Sequence, residues 1–196
     1  GFKFNVTDKT SVLLGINYFN YSNPIDNNND NFTDLTLQDR ISVFQKWQFD
    51  RKDNRLFSLA ARYFYEDRWG GEMQWNKSHR GTDQVYGESI YTRRMELLGN
   101  YQLPFNEKIF LTFSFTDHDQ NSVYGQTQFL ARQKIGFLQA NWNKTIGKHD
   151  LLLGTSMRYN NYNDNTPATT TTDEKTIPSI FVQDQIKLHP NHQILL

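Results

Sequence analysis

The residues of this chain that could do chemistry are concentrated in two polar segments, and the first segment carries oxygen atoms at alternate positions. The oxygen-bearing groups are the side chains of Asp26, Asn28, Asp30 and Asp34 and the backbone carbonyl of Phe32. Their spacing matches positions of a calcium-binding loop, and calcium takes roughly six to eight hard oxygen ligands. Asn31 stands where such loops usually have Gly, and Asn tolerates the left-handed backbone; Leu37 replaces the usual Glu. The segment predicts a calcium site, with a solvated polar loop as the alternative.

The second polar segment combines guanidinium groups with aromatic rings. Its members are Arg68, Trp69, Trp75, His79, Arg80 and Tyr86. Such residues suit a large ligand with rings or carboxylates, because aromatic faces attract cations and Arg pairs with carboxylates through two hydrogen bonds. The pattern predicts a ligand-binding loop. The alternative is a loop that packs on itself around its two Trp residues.

Catalytic motifs are absent from the sequence. It has no G-x-S-x-G elbow, P-loop or H-E-x-x-H motif, each of which carries a known chemistry. Ser114 and His118 share strand parity, but four strand residues separate them by about 13 Å, too far for a hydrogen bond. The chain also has no Cys, which excludes a disulfide scaffold, a Cys-ligated zinc site and a Cys nucleophile. The prediction is a protein that is not an enzyme.

Composition limits the elements that position these segments. The 21 Lys and Arg residues balance 21 Asp and Glu residues, which excludes a strongly basic nucleic-acid binder. The mean hydropathy is −0.74, yet 15% of the residues are aromatic. A polar average with many aromatic residues fits strands that are apolar on one face only. No apolar run is long enough for a transmembrane helix.

Period-two alternation recurs in eight segments along the chain, with partial strands at 2–6 and 194–196. Ile41 and Val43, for example, fall on one face of their segment, and Lys46 falls on the other. This period is the signature of a strand with one apolar face. The polar faces carry Arg40, Lys46, Arg62, Arg94, Glu96, Gln133 and Arg158.

The connections between these segments alternate in length. The short ones are at 7–10, 50–54, 104–108, 146–150 and 189–193, and the long polar ones are at 22–35, 67–89, 118–127 and 163–176. Short periplasmic turns and long extracellular loops are typical of transmembrane barrels. Trp47, Phe49 and Trp142 lie near short turns and fit an aromatic girdle on the periplasmic side. The sequence therefore predicts an all-β fold: an antiparallel, up-and-down transmembrane β-barrel.

Two residues depart from the pattern, and both fall on an apolar face. Gln45 lies only a few residues from a short turn and counts against the barrel. Lys134 lies about twelve residues above its turn, which places it beyond the hydrocarbon band at a rise near 3.3 Å per residue. Nine or ten strands with open edges would leave unpaired backbone groups in lipid. Residues 1–196 are therefore expected to form part of a larger barrel domain.

Three stretches of the chain resemble barrel segments of TonB-dependent outer-membrane receptors, most closely those of Bacteroidetes-type bacteria. They are YFYEDRWGG at 63–71, YGESIYTRR at 86–94 and IFVQD at 180–184. The resemblance implies a 22-stranded barrel in the outer membrane with an N-terminal plug, which is absent from this chain. It further implies uptake of a large, scarce nutrient, such as a siderophore-bound iron, haem, cobalamin or a glycan. The implied partners are outer-membrane lipid, the TonB complex acting through the plug, and a surface lipoprotein.

Two other functions remain open from the residues alone. A soluble all-β carbohydrate-binding or adhesin module would need its apolar faces to meet in a core. An outer-membrane hydrolase on a smaller barrel would need a cluster of Ser, His or Asp residues at matching strand parity. The transporter is the leading prediction, because it accounts for the alternation of the strands and of the connections together.

Overall fold

The computed structural model describes residues 1–189 and 192–196, which form one antiparallel sheet of ten strands. The strands are β1 Phe2–Thr7, β2 Thr10–Tyr21, β3 Leu37–Phe49, β4 Phe57–Gly71, β5 Gly87–Gln102, β6 Lys108–Tyr124, β7 Thr127–Ile146, β8 His149–Asp164, β9 Asp173–His189 and β10 His192–Leu195. Each strand pairs with its neighbours in the chain. The all-β, antiparallel, up-and-down part of the prediction is confirmed. Residues 190 and 191 of the predicted short turn at 189–193 lie outside the described residues.

The strand register keeps apolar residues opposite apolar residues across the sheet. Leu138 of β7 lies opposite Phe113 of β6 and Met157 of β8. Its neighbour Gln139 lies opposite Thr112. Because successive side chains of a strand point to opposite sides, the sheet has one mainly apolar face and one mainly polar face. The face that carries Leu138 is called the outer face below, and the face that carries Gln139 the inner face.

The connections differ in length between the two ends of the strands, with two differences from the prediction. The loop predicted at 67–89 is shorter, because β4 continues to Gly71 and β5 begins at Gly87, so Arg68 and Trp69 lie in β4. The connections at the loop end are 22–36, 72–86, 125–126 and 165–172, and those at the turn end include 8–9, 50–56, 103–107 and 147–148. The predicted long loop at 118–127 is wrong. Strand β6 continues to Tyr124, and a tight turn follows at Gly125, whose φ is 58°. Polar residues stand on both faces of this part of β6, so its hydrophobic pattern does not reveal the strand.

The sheet has almost no buried apolar core. Among the described residues, only Val12, Leu37 and Val123 are buried hydrophobic side chains. Exposed large apolar side chains of the outer face include Ile16, Tyr63, Leu97, Phe115, Leu138, Met157 and Ile180. Leu138, in the middle of its strand, is 48% exposed and Ile180 is 84% exposed. So many exposed large apolar side chains are unusual for a monomeric protein in water.

The sheet is open over the described ranges 1–189 and 192–196, with β1 and β10 as its two edges. The predicted closure into a barrel therefore stays a prediction. Two three-residue helical turns, Lys52–Asn54 and Lys77–His79, lie in the connections. Within the part of the chain that the structure describes, no helix has the length and apolar character needed to cross a membrane.

Candidate functional site

A cavity of about 280 Å³ lies at the loop end of β4 and β5. Its chemistry-bearing lining residues are Phe32, Asp34, Arg68, Trp69, Tyr86 and Glu88. They come from the first loop (22–36), the end of β4, the second loop (72–86) and the start of β5. The cavity thus joins parts of both polar segments that the sequence analysis identified, and this meeting of the two loops was not predicted.

Backbone hydrogen bonds hold the first loop against the second. The amide of Thr33 donates to the carbonyl of Gly71 at 2.9 Å, and the amide of Met73 donates to the carbonyl of Asn31 at 2.9 Å. Phe32 and Glu72 form a β-bridge between these bonds. The first loop therefore continues the sheet as a short extra strand segment, and this pairing brings Phe32 to the cavity.

The carboxylates of the predicted calcium loop accept hydrogen bonds from the backbone of the loop itself. Asp26 accepts from the amides of Asp30 and Asn31, at 3.3 and 3.0 Å. Asp34 accepts from the amide of Asn27 at 2.9 Å. Such bonds from Asp side chains stabilise tight turns. Over the described residues, no group of three or more His, Cys, Asp or Glu side chains is arranged to hold a metal ion.

The backbone of this loop nevertheless has one feature that the residue types allow. Asn31 has a φ of 68°, in the left-handed region that Asn tolerates. Asn29 has a φ of 59° as well. Within the loop, the side-chain amide of Asn28 donates a hydrogen bond to the carboxylate of Asp30 at 2.9 Å. Calcium binding by Asp26, Asn28, Asp30, Phe32 and Asp34 stays a prediction, and two of these residues, Phe32 and Asp34, also line the cavity.

Three of the six predicted ligand residues line the cavity: Arg68, Trp69 and Tyr86. The hydroxyl of Tyr86 donates to the carboxylate of Glu88 at 2.9 Å. This bond raises the pKa of the Tyr86 phenol above its ordinary value, so the hydroxyl keeps its proton. The Tyr86 ring also lies near the Phe32 ring, with 6.2 Å between the two centroids. The cavity therefore offers a guanidinium, carboxylates and aromatic faces to one ligand.

Arg80 does not line the cavity; it anchors the second loop to the sheet. Its Nε donates to the Ser89 hydroxyl at 3.1 Å, and its Nη2 donates to the carbonyl and side-chain oxygens of Asn121 at 3.0 and 2.7 Å. The guanidinium lies 4.5 Å from the centroid of the Tyr91 ring. These partners lie on the outer face by strand register. Arg80 therefore fixes the loop above the apolar surface.

Trp75 and His79 belong to the same anchored segment. The Trp75 ring lies on the backbone of Gly87, where an added Cβ would come within 2.2 Å of the ring. His79 lies in the short helical turn and its carbonyl accepts from the Thr82 hydroxyl at 2.9 Å. The predicted ligand set is therefore divided: Arg68, Trp69 and Tyr86 line the cavity, whereas Trp75, His79 and Arg80 lie in the anchored part of the loop. Ligand binding by these six residues stays a prediction.

An ion pair that the sequence analysis missed strengthens this anchor. Lys77 donates to the carboxylate of Asp67 at 2.5 Å, and Asp67 is only 3% exposed. The Lys77 ammonium also lies 5.3 Å from the centroid of the Trp69 ring. The hydrogen bond to Asp67 raises the pKa of Lys77 above its ordinary value. In the sequence, the only signal for Asp67 is a carboxylate at the same strand parity as the aromatic residues Tyr65 and Trp69.

The inner face below the cavity carries two carboxylates between arginines. Glu96 pairs with Arg62 at 2.6 Å and with Arg94 at 2.7 Å. Glu66 lies 4.0 Å from both Arg40 and Arg68. Each carboxylate therefore has two cationic neighbours, and this part of the inner face is positively charged.

No protein-family model matches this chain, and no curated protein matches it.

Proposed function

We propose that this chain is part of an outer-membrane β-barrel that imports a large, scarce nutrient in the manner of TonB-dependent receptors. The observation that carries the proposal is the exposed apolar outer face of a single-layered sheet, which has only three buried apolar side chains among the described residues. A sheet in water covers such a face with a second layer. A sheet in lipid leaves it exposed to the hydrocarbon.

The inner face supports an aqueous interior. Arg62, Glu96 and Arg94 form a charged cluster there, and Gln133 bonds Asn160 at 2.8 Å. Charged and amide groups are costly to place in hydrocarbon, but they line the lumen of transporting barrels. The division of the strands into an apolar and a polar face therefore favours a barrel that surrounds water, a plug or a passing solute.

The distribution of connections supports a site for solute capture at the loop end. Three of the four loop-end connections are long, and two of them form the cavity with Arg68, Trp69 and Tyr86. Guanidinium and aromatic groups suit siderophore-bound iron, haem or cobalamin, which combine rings with anionic or polar groups. The plug, the TonB complex, a surface lipoprotein and the closing strands of the barrel are part of this proposal through the family resemblance.

Folding of the complete gene product with and without detergent micelles tests the proposal. We expect cooperative β-structure by circular dichroism only in micelles, together with a gel mobility that changes on heating. Cooperative folding in water without detergent would reject the barrel and favour the soluble binding module. After folding in micelles, titration with cobalamin and with a ferric chelate measures the capture step separately from the membrane location.

A further inference from the structure

The cavity at the loop end is lined by two carboxylates that no cation of the described chain neutralises. They belong to Asp34 of the first loop and Glu88 of β5. Neither forms an ion pair within 4.0 Å with any residue in the ranges 1–189 and 192–196. By contrast, Glu66 and Glu96, which lie lower on the inner face, each have two arginine neighbours. The negative charges of the cavity are therefore available to a cationic group of a solute.

Each of these carboxylates also keeps one oxygen atom without a hydrogen bond. Oδ2 of Asp34 accepts from the amide and from the side chain of Asn27, at 2.9 and 2.7 Å, and Oε1 of Glu88 accepts from the Tyr86 hydroxyl at 2.9 Å. No residue that the structure describes donates to Oδ1 of Asp34 or to Oε2 of Glu88. The existing bonds hold the carboxylates in place, and the second oxygen of each can accept from a donor of a solute.

Gly70 leaves an open space between the two carboxylates. It lies opposite Glu88 in the register of β4 and β5. On its other side, the first loop pairs with the end of β4, since the amide of Thr33 donates to the carbonyl of Gly71, and Asp34 follows Thr33. A Cβ added at Gly70 would have only one neighbour within 4 Å, the Thr33 hydroxyl at 3.3 Å. The missing side chain therefore forms the floor of the cavity.

The surroundings of this space favour a protonated amine. The charged groups that line the cavity are the two carboxylates and the guanidinium of Arg68, so one negative charge is in excess. Phe32 and Tyr86 also line it, with 6.2 Å between their ring centroids. Carboxylates form strong hydrogen bonds with ammonium groups, and aromatic faces attract cations. An ammonium group above Gly70 would meet both kinds of partner.

Arg68 supplies the opposite charge at a defined distance. It precedes Gly70 by two residues on β4, so the two positions share the inner face about 7 Å apart. Its side chain is 47% exposed, and its nearest carboxylate, that of Glu66, is 4.0 Å away. The guanidinium makes no hydrogen bond to any residue in the described part of the chain. Its N–H groups are therefore available to a carboxylate of the solute, which they can hold through two parallel bonds.

We propose that the group of the solute that enters this cavity is a zwitterion of the amino-acid type. Its protonated amine lies above Gly70 between Asp34 and Glu88, and its carboxylate accepts hydrogen bonds from Arg68. A separation of about 7 Å is spanned by about two residues of extended peptide, so a short peptide with free ends presents both groups. This inference rests on the proposed function, because it needs the inner face at the loop end to capture a solute.

The test is binding of the dipeptide phenylalanyl-alanine to the complete protein in detergent micelles, measured by isothermal titration calorimetry. The N-acetyl form of the dipeptide lacks the ammonium group, and its C-terminal amide lacks the carboxylate. Loss of one hydrogen-bonded contact between charged groups costs on the order of tenfold in affinity. We expect the wild type to bind each blocked form about tenfold more weakly than the free dipeptide.

Two variants assign the contacts to their side chains. Glu88→Gln is expected to bind the free dipeptide about tenfold more weakly and the N-acetyl form as well as the wild type does, because the two changes remove the same contact. Arg68→Gln is expected to lose the preference for the free carboxylate over the amide in the same way. The matched control is Asp83→Asn, which removes a negative charge from the second loop outside the cavity lining and is expected to leave all three affinities unchanged.

Heat-dependent gel mobility establishes that each variant is folded, and the comparison of the three dipeptide forms on the wild type needs no variant. Equal binding of the free form and either blocked form overturns the zwitterion site and leaves the barrel intact. An equal loss in Asp83→Asn and Glu88→Gln, or binding of cobalamin or a ferric chelate without any binding of the dipeptide, overturns it as well. Folding in water without detergent overturns the proposed function, and this inference with it.

Discussion

The outer and inner faces of this sheet are built from the same strands but differ in side-chain chemistry and exposure. On β5, the outer face presents Met95 and Leu97, and the inner face presents Arg94 and Glu96 at the alternate positions. The outer side chains are about half exposed, at 49% and 47%, whereas the Glu96 side chain is 13% exposed because arginines surround it. The charged Glu96 side chain is thus less exposed than the apolar side chains, which is the reverse of a protein that folds around an apolar core.

The largest expected effect comes from placing a charge on each face at neighbouring positions. Leu138→Arg places a guanidinium on the outer face in the middle of the apolar surface, where the cost is about 2–4 kcal/mol in a membrane barrel. Gln139→Arg places the same group on the inner face and is expected to change the free energy of unfolding by less than about 1 kcal/mol. Denaturant unfolding from lipid vesicles measures both, and equal destabilisation by the two changes would contradict the assignment of the faces.

A smaller effect is expected from the anchor of the second loop on the outer face. Arg80→Met removes the hydrogen bonds to Ser89 and Asn121 and leaves their acceptors unpaired, which costs about 1–3 kcal/mol. We expect loop 72–86 to lose protection from hydrogen exchange and from proteolysis, with the strands unchanged. The control is Arg68→Gln, whose guanidinium is 4.0 Å from its nearest carboxylate. Unchanged protection in Arg80→Met would show that the loop does not depend on this anchor.

The complementary prediction concerns ligand capture on the inner side of the loops. Arg68→Gln is expected to weaken binding of a ferric chelate or of cobalamin about tenfold, since it removes a charged hydrogen-bond donor from the cavity. Lys134→Gln removes a cation from the outer face and leaves this affinity unchanged. Fluorescence titration of the folded protein measures both affinities. A tenfold loss in the outer-face variant would place capture elsewhere than in the cavity.

The smallest expected effect is a pH dependence at the turn end of the outer face. Glu107 accepts hydrogen bonds from Lys144 and from the Trp142 indole, at 3.0 Å for the indole. These bonds lower the pKa of the Glu107 carboxyl below its ordinary value, with the bond to Lys144 as the larger cause. A lowered pKa in the folded state stabilises the fold above the ordinary pKa, and this contribution is lost as the pH falls through the folded value.

A thermal unfolding series from neutral pH to acid measures this contribution as the difference between wild type and Glu107→Gln. We expect the difference to be small at neutral pH and to vanish in acid, because the pair is exposed to solvent. The Trp142 fluorescence is expected to shift in the same pH range. A difference that grows as the pH falls would mean that the carboxylate opposes folding, contrary to the lowered pKa.

The sequence predicts the features of this fold that repeat with the period of a strand. Leu138 and Gln139 are assigned to opposite faces by alternation alone, and the residue type of Asn31 is compatible with its left-handed backbone. The strand at 118–124 was missed because Asp119 and Asn121 make its outer face polar. Alternation of hydrophobicity cannot reveal a strand whose two faces are both polar.

The sequence does not predict which residues of the second polar segment line the cavity and which anchor the loop, because this depends on partners that are distant in sequence. Arg80 reaches Asn121, forty-one residues away, and Phe32 reaches the cavity by pairing with Glu72. Residue types suggest what a side chain can bind, but they do not reveal which face a loop folds over. Arg68 and Arg80 carry the same chemistry, and only the three-dimensional contacts assign one to the cavity and the other to the anchor.

The chain-order pairing of all ten strands also has a consequence for how the protein assembles. Every ladder joins strands that follow one another in the chain, so no hairpin needs a crossover connection, and the entropic cost of loop closure grows only slowly with the length of its loop. Such local topology favours growth of the sheet one hairpin at a time, with each completed strand offering its free edge as the template for the next. A partly assembled sheet of this kind exposes an unpaired edge strand, and such an edge can pair with a wrong partner until the next strand covers it.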